Sequence, residues 1–543
     1  MVPWTTIDRL ALLAGEFPRV DHQVSEAELV QDLAAGFASP EFLSSARDRD
    51  WWHAFYEHGA GGWTWHGCEC KTHPPRVRLG GRVLAGYSEL GTPLESEAGL
   101  GWAPGLNLSL EPMLDWAAGP WWASVTGRFA GRVVQGGESF DSDSTHPLTW
   151  PGWSIPTGRG QVRDSRLRGD AWVARVPRLM GGVQLGGWGL SAGWSPRRTG
   201  PGLDEALVLD DSGVAFPAVT ARRTRRWDWD GFMGRLAPHD FMLRTGRLSQ
   251  REVYYTDEWG QHLKEARPWF FQWLIGWEVF PWLRTVLTHT AMATAREGTL
   301  WPDLLQINFP VIGTTWREAA SGPVTDRIFA IQLEMRWRDS PVPLLPSAAG
   351  RVWWDYGGTD FLPSGPGGVI PEISIPASVA GIELIGDQVD LAFEYAELFH
   401  ENALWYSNGG YPEGYSQQQW LLGASLGGSG ESVMLMARLR PGSLAQEAEV
   451  RIRRARWGHE YSTPGTGELM TVAVTVRNRP GAGGLPTLLY DDEGRPRLPR
   501  RSRWEGTLEW NREEADRNAF GSTNLPGASA VSDWWRVYVK WSP

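Results

Sequence analysis

The stretch Phe329-Ala330-Ile331-Gln332-Leu333-Glu334-Met335-Arg336-Trp337-Arg338 decides the fold class of this chain. Successive side chains of an extended strand point to opposite faces, so Phe329, Ile331, Leu333, Met335 and Trp337 share one face. Ala330, Gln332, Glu334, Arg336 and Arg338 share the other. The apolar face suits lipid or a core, while the charged face needs water or ion partners, which the wet lumen of a barrel supplies. The same period of two sets Val389, Leu391, Phe393 and Tyr395 against Asp390, Ala392 and Glu394. It recurs with Met470, Val472, Val474 and Val476 against Thr471, Ala473 and Thr475. A soluble sandwich or propeller alternates in the same way where one sheet face meets a core. The pattern therefore establishes an all-β chain and leaves two settings open.

The tryptophans weigh on that choice. There are 34 in 543 residues, spread from Trp4 to Trp541 and set in short alternating stretches. Amphipathic indoles at this density suit the aromatic girdles at both rims of a transmembrane barrel. An apolar run of about 18 residues, which a membrane-spanning helix needs, does not occur. No Ser/Gly linker or charge block divides the chain, so the part after about residue 75 reads as one body, an antiparallel barrel of about 18 strands. A net charge of −11 argues against a nucleic-acid partner, which calls for a basic surface. Lysine occurs only at Lys71, Lys264 and Lys540; the remaining basic side chains are arginine.

Residues 1–75 read differently. Ser25-Glu26-Ala27-Glu28 has a capping-box pattern, and Leu29, Val30, Leu33 and Phe37 follow at helical spacing. Pro40 opens a second helix with Phe42, Leu43, Ala46, Trp51 and Phe55 as its apolar stripe. A small helical unit is thus expected ahead of a barrel spanning 76–543, covering one open end or carrying a partner contact. The Leu/Ala run within Thr5 to Gly15 is short and holds Asp8 and Arg9, so it does not read as a secretory leader; the chain reads as a mature exported form. At the other terminus Trp535, Val537, Val539 and Trp541 form an apolar face that suits a closing lipid-facing strand.

Candidate chemistry is sparse. His66, Cys68, Cys70 and His73 lie close together, but a structural zinc site prefers two residues between its cysteines, and an oxidised or ligand-free pair is the expectation. Acidic pairs such as Asp204 with Glu205, Asp210 with Asp211, Asp228 with Asp230 and Asp257 with Glu258 read as solvated loop residues. No nucleophile elbow, phosphate loop or metalloprotease helix occurs, so neither catalysis nor a cofactor is expected.

Two constellations are candidate polysaccharide sites. Arg222, Arg223, Arg225 and Arg226 precede Trp227 and Trp229. Guanidinium forks bind sugar carboxylates and indoles stack on pyranose faces; equally, these arginines would pair with acids of neighbouring strands and hold the barrel's shape. Alternation puts Arg222 and Arg226 on one parity and Arg223 and Arg225 on the other. Trp405, Tyr406, Asn408 and Tyr411 lie on a Gly-rich segment. Exposed there they would stack on and hydrogen-bond a glycan, and at a strand end they would be rim anchors.

The order of several motifs resembles one family. Ile7-Asp8-Arg9-Leu10 with Ala14-Gly15, and Ser25 to Leu29, look like the amino-terminal helical unit of the capsule assembly family named after Wzi. Gly187-Trp188-Gly189-Leu190-Ser191-Ala192-Gly193-Trp194, then Gly200-Pro201-Gly202, Leu207-Val208-Leu209 and Phe216-Pro217 before Arg222, are similar to its Gly-Pro-Gly strand and loop. Glu394-Tyr395-Ala396, Trp405-Tyr406-Ser407-Asn408, Tyr411 and Gly414-Tyr415 resemble its carboxyl-terminal pattern. Two positions depart from it: Thr199 stands where the family has Trp, and Asp210-Asp211-Ser212-Gly213 replaces a Ser/Asn-rich stretch. The resemblance implies an outer-membrane barrel with its helical unit at the periplasmic end, retaining capsular polysaccharide at the cell surface. The implied partners are that polysaccharide, outer-membrane lipid and the barrel insertion machinery, with the chain a monomer. A porin-like channel for small solutes and a soluble carbohydrate-active sandwich or propeller enzyme are the competing expectations; a filled lumen would favour attachment over passage.

Overall fold

The computed structural model describes residues 76–88, 105–118, 120–135, 173–185, 188–195, 197–210, 215–223, 237–238, 240–250, 252–257, 260–265, 267–280, 282–295, 300, 304–308, 324–337, 349–364, 370–386, 388–398, 405–406, 411, 415–417, 420–424, 426, 430–439, 446–457, 467–478, 489–490, 496–497, 503–516 and 529–542. The expected helical unit and the His66 to His73 cluster lie outside them.

The first strands are β1 (Arg76–Ser88), β2 (Gly105–Ala118), β3 (Trp121–Gln135), β4 (Val173–Leu185), β5 (Trp188–Trp194), β6 (Ala218–Arg223) and β7 (Asp240–Arg247). A hairpin of β8 (Glu252–Asp257) and β9 (Gly260–Glu265) intervenes before β10 (Trp269–Phe280), β11 (Leu283–Thr294), β12 (Val324–Trp337), β13 (Ala349–Ser364), β14 (Ile370–Ile385) and β15 (Val389–Glu397). After the short pair β16 (Ser416–Gln417) and β17 (Trp420–Leu421) come β18 (Gly430–Leu439), β19 (Gln446–Trp457) and β20 (Gly467–Asn478). A further short pair, β21 (Leu489–Tyr490) and β22 (Pro496–Arg497), precedes β23 (Arg503–Asp516) and β24 (Ser529–Ser542).

Without the three small hairpins these strands make one 18-stranded antiparallel sheet. β24 pairs back onto β1 from Gly81↔Trp541 to Tyr87↔Trp535, so each strand of the sheet has a neighbour on both sides. Such a ring leaves no row of unpaired backbone groups, which is the condition for strands in a non-aqueous medium.

The two faces have opposite chemistry, and the polar one is the buried one. On β12, Asp326, Gln332, Glu334 and Arg336 are buried, whereas Phe329, Ile331, Leu333, Met335 and Trp337 lie on the more exposed face. On β15, Asp390 and Glu394 are buried while Val389, Leu391 and Phe393 are exposed. Thr471, Ala473 and Thr475 of β20 face inward, Met470 and Val474 outward. Trp535, Val537 and Val539 of β24 are also exposed, as the terminal pattern predicts. A water-soluble fold tolerates apolar patches of only a few hundred Å²; here an apolar wall runs around the sheet.

Indoles also pack against glycines between strands. Trp122 faces Gly182, Trp337 faces Gly350 and Trp353 faces Gly381 across neighbouring strands. In each case a Cβ on the glycine would run into the indole ring. Part of the tryptophan content is thus spent inside the sheet's own packing rather than at the rims.

The connections differ in length at the two ends. At the end holding Arg76 and Ser542, β2–β3, β4–β5 and β10–β11 are joined by 119–120, 186–187 and 281–282 alone, with longer connections at 224–239 and 479–502. The opposite end carries the connections 136–172, 195–217, 295–323 and 398–429. Helix α1 (Leu304–Asn308), within 295–323, packs on the outer face. Leu300 and Ile307 cover Phe271, Ala291 and Ala293, and the Asn308 carbonyl accepts from Trp273 Nε1 at 2.9 Å. No helix among the described residues is long and apolar enough to cross a membrane.

Candidate functional site

Inside the ring the charges pair with one another. Arg128 Nε lies 2.5 Å from Glu111 Oε1. Arg351 bridges Glu334 (3.3 Å) and Glu383 (2.9 Å), and Arg438 gathers Asp390 (3.4 Å), Glu447 (3.2 Å) and Glu449 (3.0 Å). Arg244 donates to Gln272 Oε1 at 2.5 Å, and Gln272 Nε2 donates in turn to Thr199 Oγ1 at 3.2 Å. Neighbouring strands supply opposite charges at matching inward positions, so these inward charges are met by ion partners as well as by any water in the lumen.

Two connections fold into that space from the same end. The first, 195–217, carries Ala206, Leu207, Val208 and Leu209, each at most 2% exposed. Glu394 of β15 anchors it: Oε1 accepts the amides of Asp204 (3.0 Å) and Glu205 (2.8 Å), and Oε2 accepts that of Leu203. Three successive amides directed at one carboxyl group form a fixed cradle that sets the course of the turn. Arg453 of β19 binds the acidic side chains of the same turn, Asp204 at 2.6 Å and Glu205. The acid pair read as solvated is therefore buried and bonded. Thr199, one of the two departures from the family pattern, is fully buried and pairs with Leu209 within this segment.

The second connection, 398–429, brings in three phenols. Tyr406 Oη donates to the Leu207 carbonyl at 2.7 Å and accepts the Ala424 amide at 2.9 Å. Tyr415 Oη donates to the Val208 carbonyl at 3.0 Å and lies 3.0 Å from Thr290 Oγ1. Tyr411 Oη donates to the Val324 carbonyl at 2.7 Å. The Asp210 amide donates to the Leu422 carbonyl at 2.7 Å, so the two connections are joined by backbone as well. Tyr406 has φ 59°, a left-handed conformation that a bulky residue holds only when its surroundings enforce it. Burial pushes the Tyr406, Tyr411 and Tyr415 phenols above their ordinary pKa.

The expected polysaccharide residues are placed as follows. Trp405, Tyr406 and Tyr411 are 1%, 4% and 0% exposed, packed in the interior cluster with Leu207, Val208 and Phe270. They do not form the open stacking surface that the Gly-rich segment suggested, because the segment turns inward and its phenols satisfy carbonyls. Asn408 lies outside the described residues, as do Arg225, Arg226, Trp227 and Trp229. Arg222 points inward, 3.8 Å from Asp240, and Arg223 outward, over the Trp188 ring at 5.7 Å. Both stand at the end of the sheet that carries Arg76 and Ser542, opposite the end from which the two connections enter. Arg222 and Arg223 therefore do not share an end with Trp405, Tyr406 and Tyr411. Sequence reading named Glu394 as a polar-face position and as part of a motif, without a partner, and missed Arg453. The available signal was a charge at inward parity, which marks a residue needing a partner without naming it.

These features define an antiparallel 18-stranded β-barrel, apolar outside, whose interior is filled by ion pairs and two infolded connections. Its fold matches that of a solved structure described as Wzi of Escherichia coli, an outer membrane protein involved in group 1 capsule assembly and a carbohydrate-binding β-barrel. The two are 13% identical, with a TM-score of 0.58 over 98% of this chain and 96% of that one. A member of the family read from the motifs is thus among the structures whose fold matches. OccK5 (OpdH) of Pseudomonas aeruginosa matches at 9% identity and TM-score 0.42, covering 86% of this chain and 98% of that one. OccAB2 of Acinetobacter baumannii matches at 7% and 0.44, covering 87% and 99%. No protein-family model and no curated protein sequence matches the chain.

Proposed function

We propose that this chain is an outer-membrane barrel that binds or anchors surface polysaccharide, of the capsular kind, without catalysing a reaction. The observation that carries this reading is the join between connections 195–217 and 398–429 inside the ring, where Tyr406 and Tyr415 bond Leu207 and Val208. A diffusion pore needs a continuous water path, which this join opposes. The apolar outer wall supports lipid as its surroundings. The carbohydrate binding stated for the Escherichia coli barrel of like fold supports the ligand class.

Outer-membrane barrels have short periplasmic turns and longer external loops. By that rule the end with connections 136–172, 195–217, 295–323 and 398–429 faces outward, and the end holding Arg76 and Ser542 faces the periplasm. The glycan contact then falls at the loop-bearing end, where Asn408 is the remaining candidate. Trp405, Tyr406 and Tyr411 act as scaffold, and Arg222 and Arg223 belong to the periplasmic end. Many weak contacts along a repeating chain would give avidity without a deep pocket. The barrel would act as a monomer and depend on the barrel insertion machinery for assembly.

The test pairs two measurements on cells making the full chain. Shortening 136–172 should release surface polysaccharide, whereas R223A, at the opposite end, should retain it. Purified wild-type protein in a planar bilayer should insert with little conductance. Polysaccharide retained by the shortened protein, or a large steady conductance from the wild type, would sink the reading.

A further inference from the structure

On the outer face near the loop-bearing end, several arginines are neutralised by a neighbouring acid. Arg454 and Arg456 share Glu468 at 2.6 and 3.2 Å, and Arg512 lies 3.2 Å from Glu514. Arg247 and Arg267 differ. Both are exposed, and neither forms an ion pair among the described residues. Arg247, the last residue of β7, faces Trp269 across the β7–β10 pair. The Leu248 amide donates to the Pro268 carbonyl at 2.9 Å, which continues the pairing and makes Arg267 a diagonal neighbour of Arg247 on the same face. The two positive charges are within electrostatic reach of each other.

The wall beneath this pair grades from apolar to cationic. Phe271 is buried under Leu300 and Ile307; Trp269 stacks on Phe271 with centroids 6.4 Å apart; the Arg247 guanidinium sits 4.7 Å from the centre of the Trp269 ring. An indole at this height is an interfacial anchor. Two adjacent guanidinium groups without an acid among the described residues favour an anion, and their forked donors match the tetrahedral oxygens of phosphate.

We propose that Arg247, Arg267 and Trp269 form a binding site for the phosphate of a lipid headgroup. The proposal rests on the reading of the outer wall as lipid-facing: acyl chains lie along the Phe271 side, and the phosphate reaches the two guanidinium groups above Trp269.

The full-length barrel, purified in detergent, is presented with dioleoyl phosphatidic acid or dioleoyl phosphatidylcholine, and bound lipid is counted by native mass spectrometry. The wild type should retain one phosphatidic acid in preference to phosphatidylcholine. R247Q/R267Q should weaken that retention by about tenfold or more, two cationic contacts being lost. R512Q, which removes an outer-face arginine already neutralised by Glu514, should leave it unchanged. The single variant R267Q, altered outside the strands, provides the same comparison should the double variant fold poorly. Equal retention by wild type and R267Q or R247Q/R267Q would overturn the proposal, and so would displacement of the lipid by inorganic phosphate at equal concentration, which would mark a free-anion site. A wild type that fails to insert into bilayers would defeat the membrane reading itself; one that inserts yet binds no phosphatidic acid would defeat the headgroup site alone.

Discussion

The phenol of Tyr406 donates to the carbonyl of Leu207 at 2.7 Å, joining two connections that lie 199 residues apart in the chain. The same oxygen accepts the amide of Ala424, so one buried group satisfies two backbone partners from different segments. Tyr406→Phe leaves both unsatisfied at almost unchanged volume. The expected cost is about 1–3 kcal/mol, read as a lower thermal midpoint in detergent with the heat-shifted gel band preserved. An unchanged midpoint would show that the join does not depend on this hydroxyl.

Glu394 should control the infolded connection 195–217. Glu394→Ala removes the acceptor of three amides and leaves Arg453 as the remaining clamp on Asp204 and Glu205. The expected result is a rise in conductance and in its fluctuation in planar bilayers. If the variant is as silent as the wild type, 195–217 is held by packing alone.

The interior phenols give a pH signature. Burial pushes Tyr406, Tyr411 and Tyr415 above the usual 10.0, so the native state favours their neutral form. Their contribution to stability is complete below that unfolded value and is lost as pH rises through the higher folded ones. Of the 12 tyrosines, these three should stay protonated in alkali that ionises exposed phenols, and should titrate once the protein is unfolded. Ultraviolet difference spectra of native and unfolded protein check this; identical titration curves would contradict their burial.

Gly381 should resist substitution. A Cβ there would collide with the Trp353 ring and lie 2.7 Å from the Phe393 carbonyl oxygen. Gly381→Ala should cost about 1–3 kcal/mol through overpacking, and Trp353→Leu in the same background should recover part of it. The yield of folded barrel after dilution from urea measures both; full yield from Gly381→Ala alone would refute the contact.

The expectations drawn from the sequence succeeded where side-chain parity was enough. Phe329 to Trp337, Val389 to Tyr395 and Met470 to Val476 each place apolar side chains outward and polar ones inward, because strand geometry is local. Trp535, Val537 and Val539 follow the same rule. The reading failed where a residue's meaning depended on distant chain. Trp405, Tyr406 and Tyr411 look like a loop surface until Leu207, Val208 and Val324 are brought beside them. Asp204 and Glu205 look solvated until Arg453 approaches across the ring.

By itself, then, the sequence determined an all-β antiparallel chain with one apolar and one charged strand face, since alternation and tryptophan content require nothing beyond neighbours a few residues away. Only the tertiary structure decided that the charged face is buried and self-paired, that β24 closes on β1, and that 195–217 and 398–429 fold inward from the end opposite Arg222 and Arg223. Those outcomes depend on register and on contacts between segments far apart in the chain, as between Leu207 and Tyr406 or between Gly81 and Trp541. A one-dimensional pattern can show that a buried charge needs a partner; the partner itself is set by which strands lie side by side.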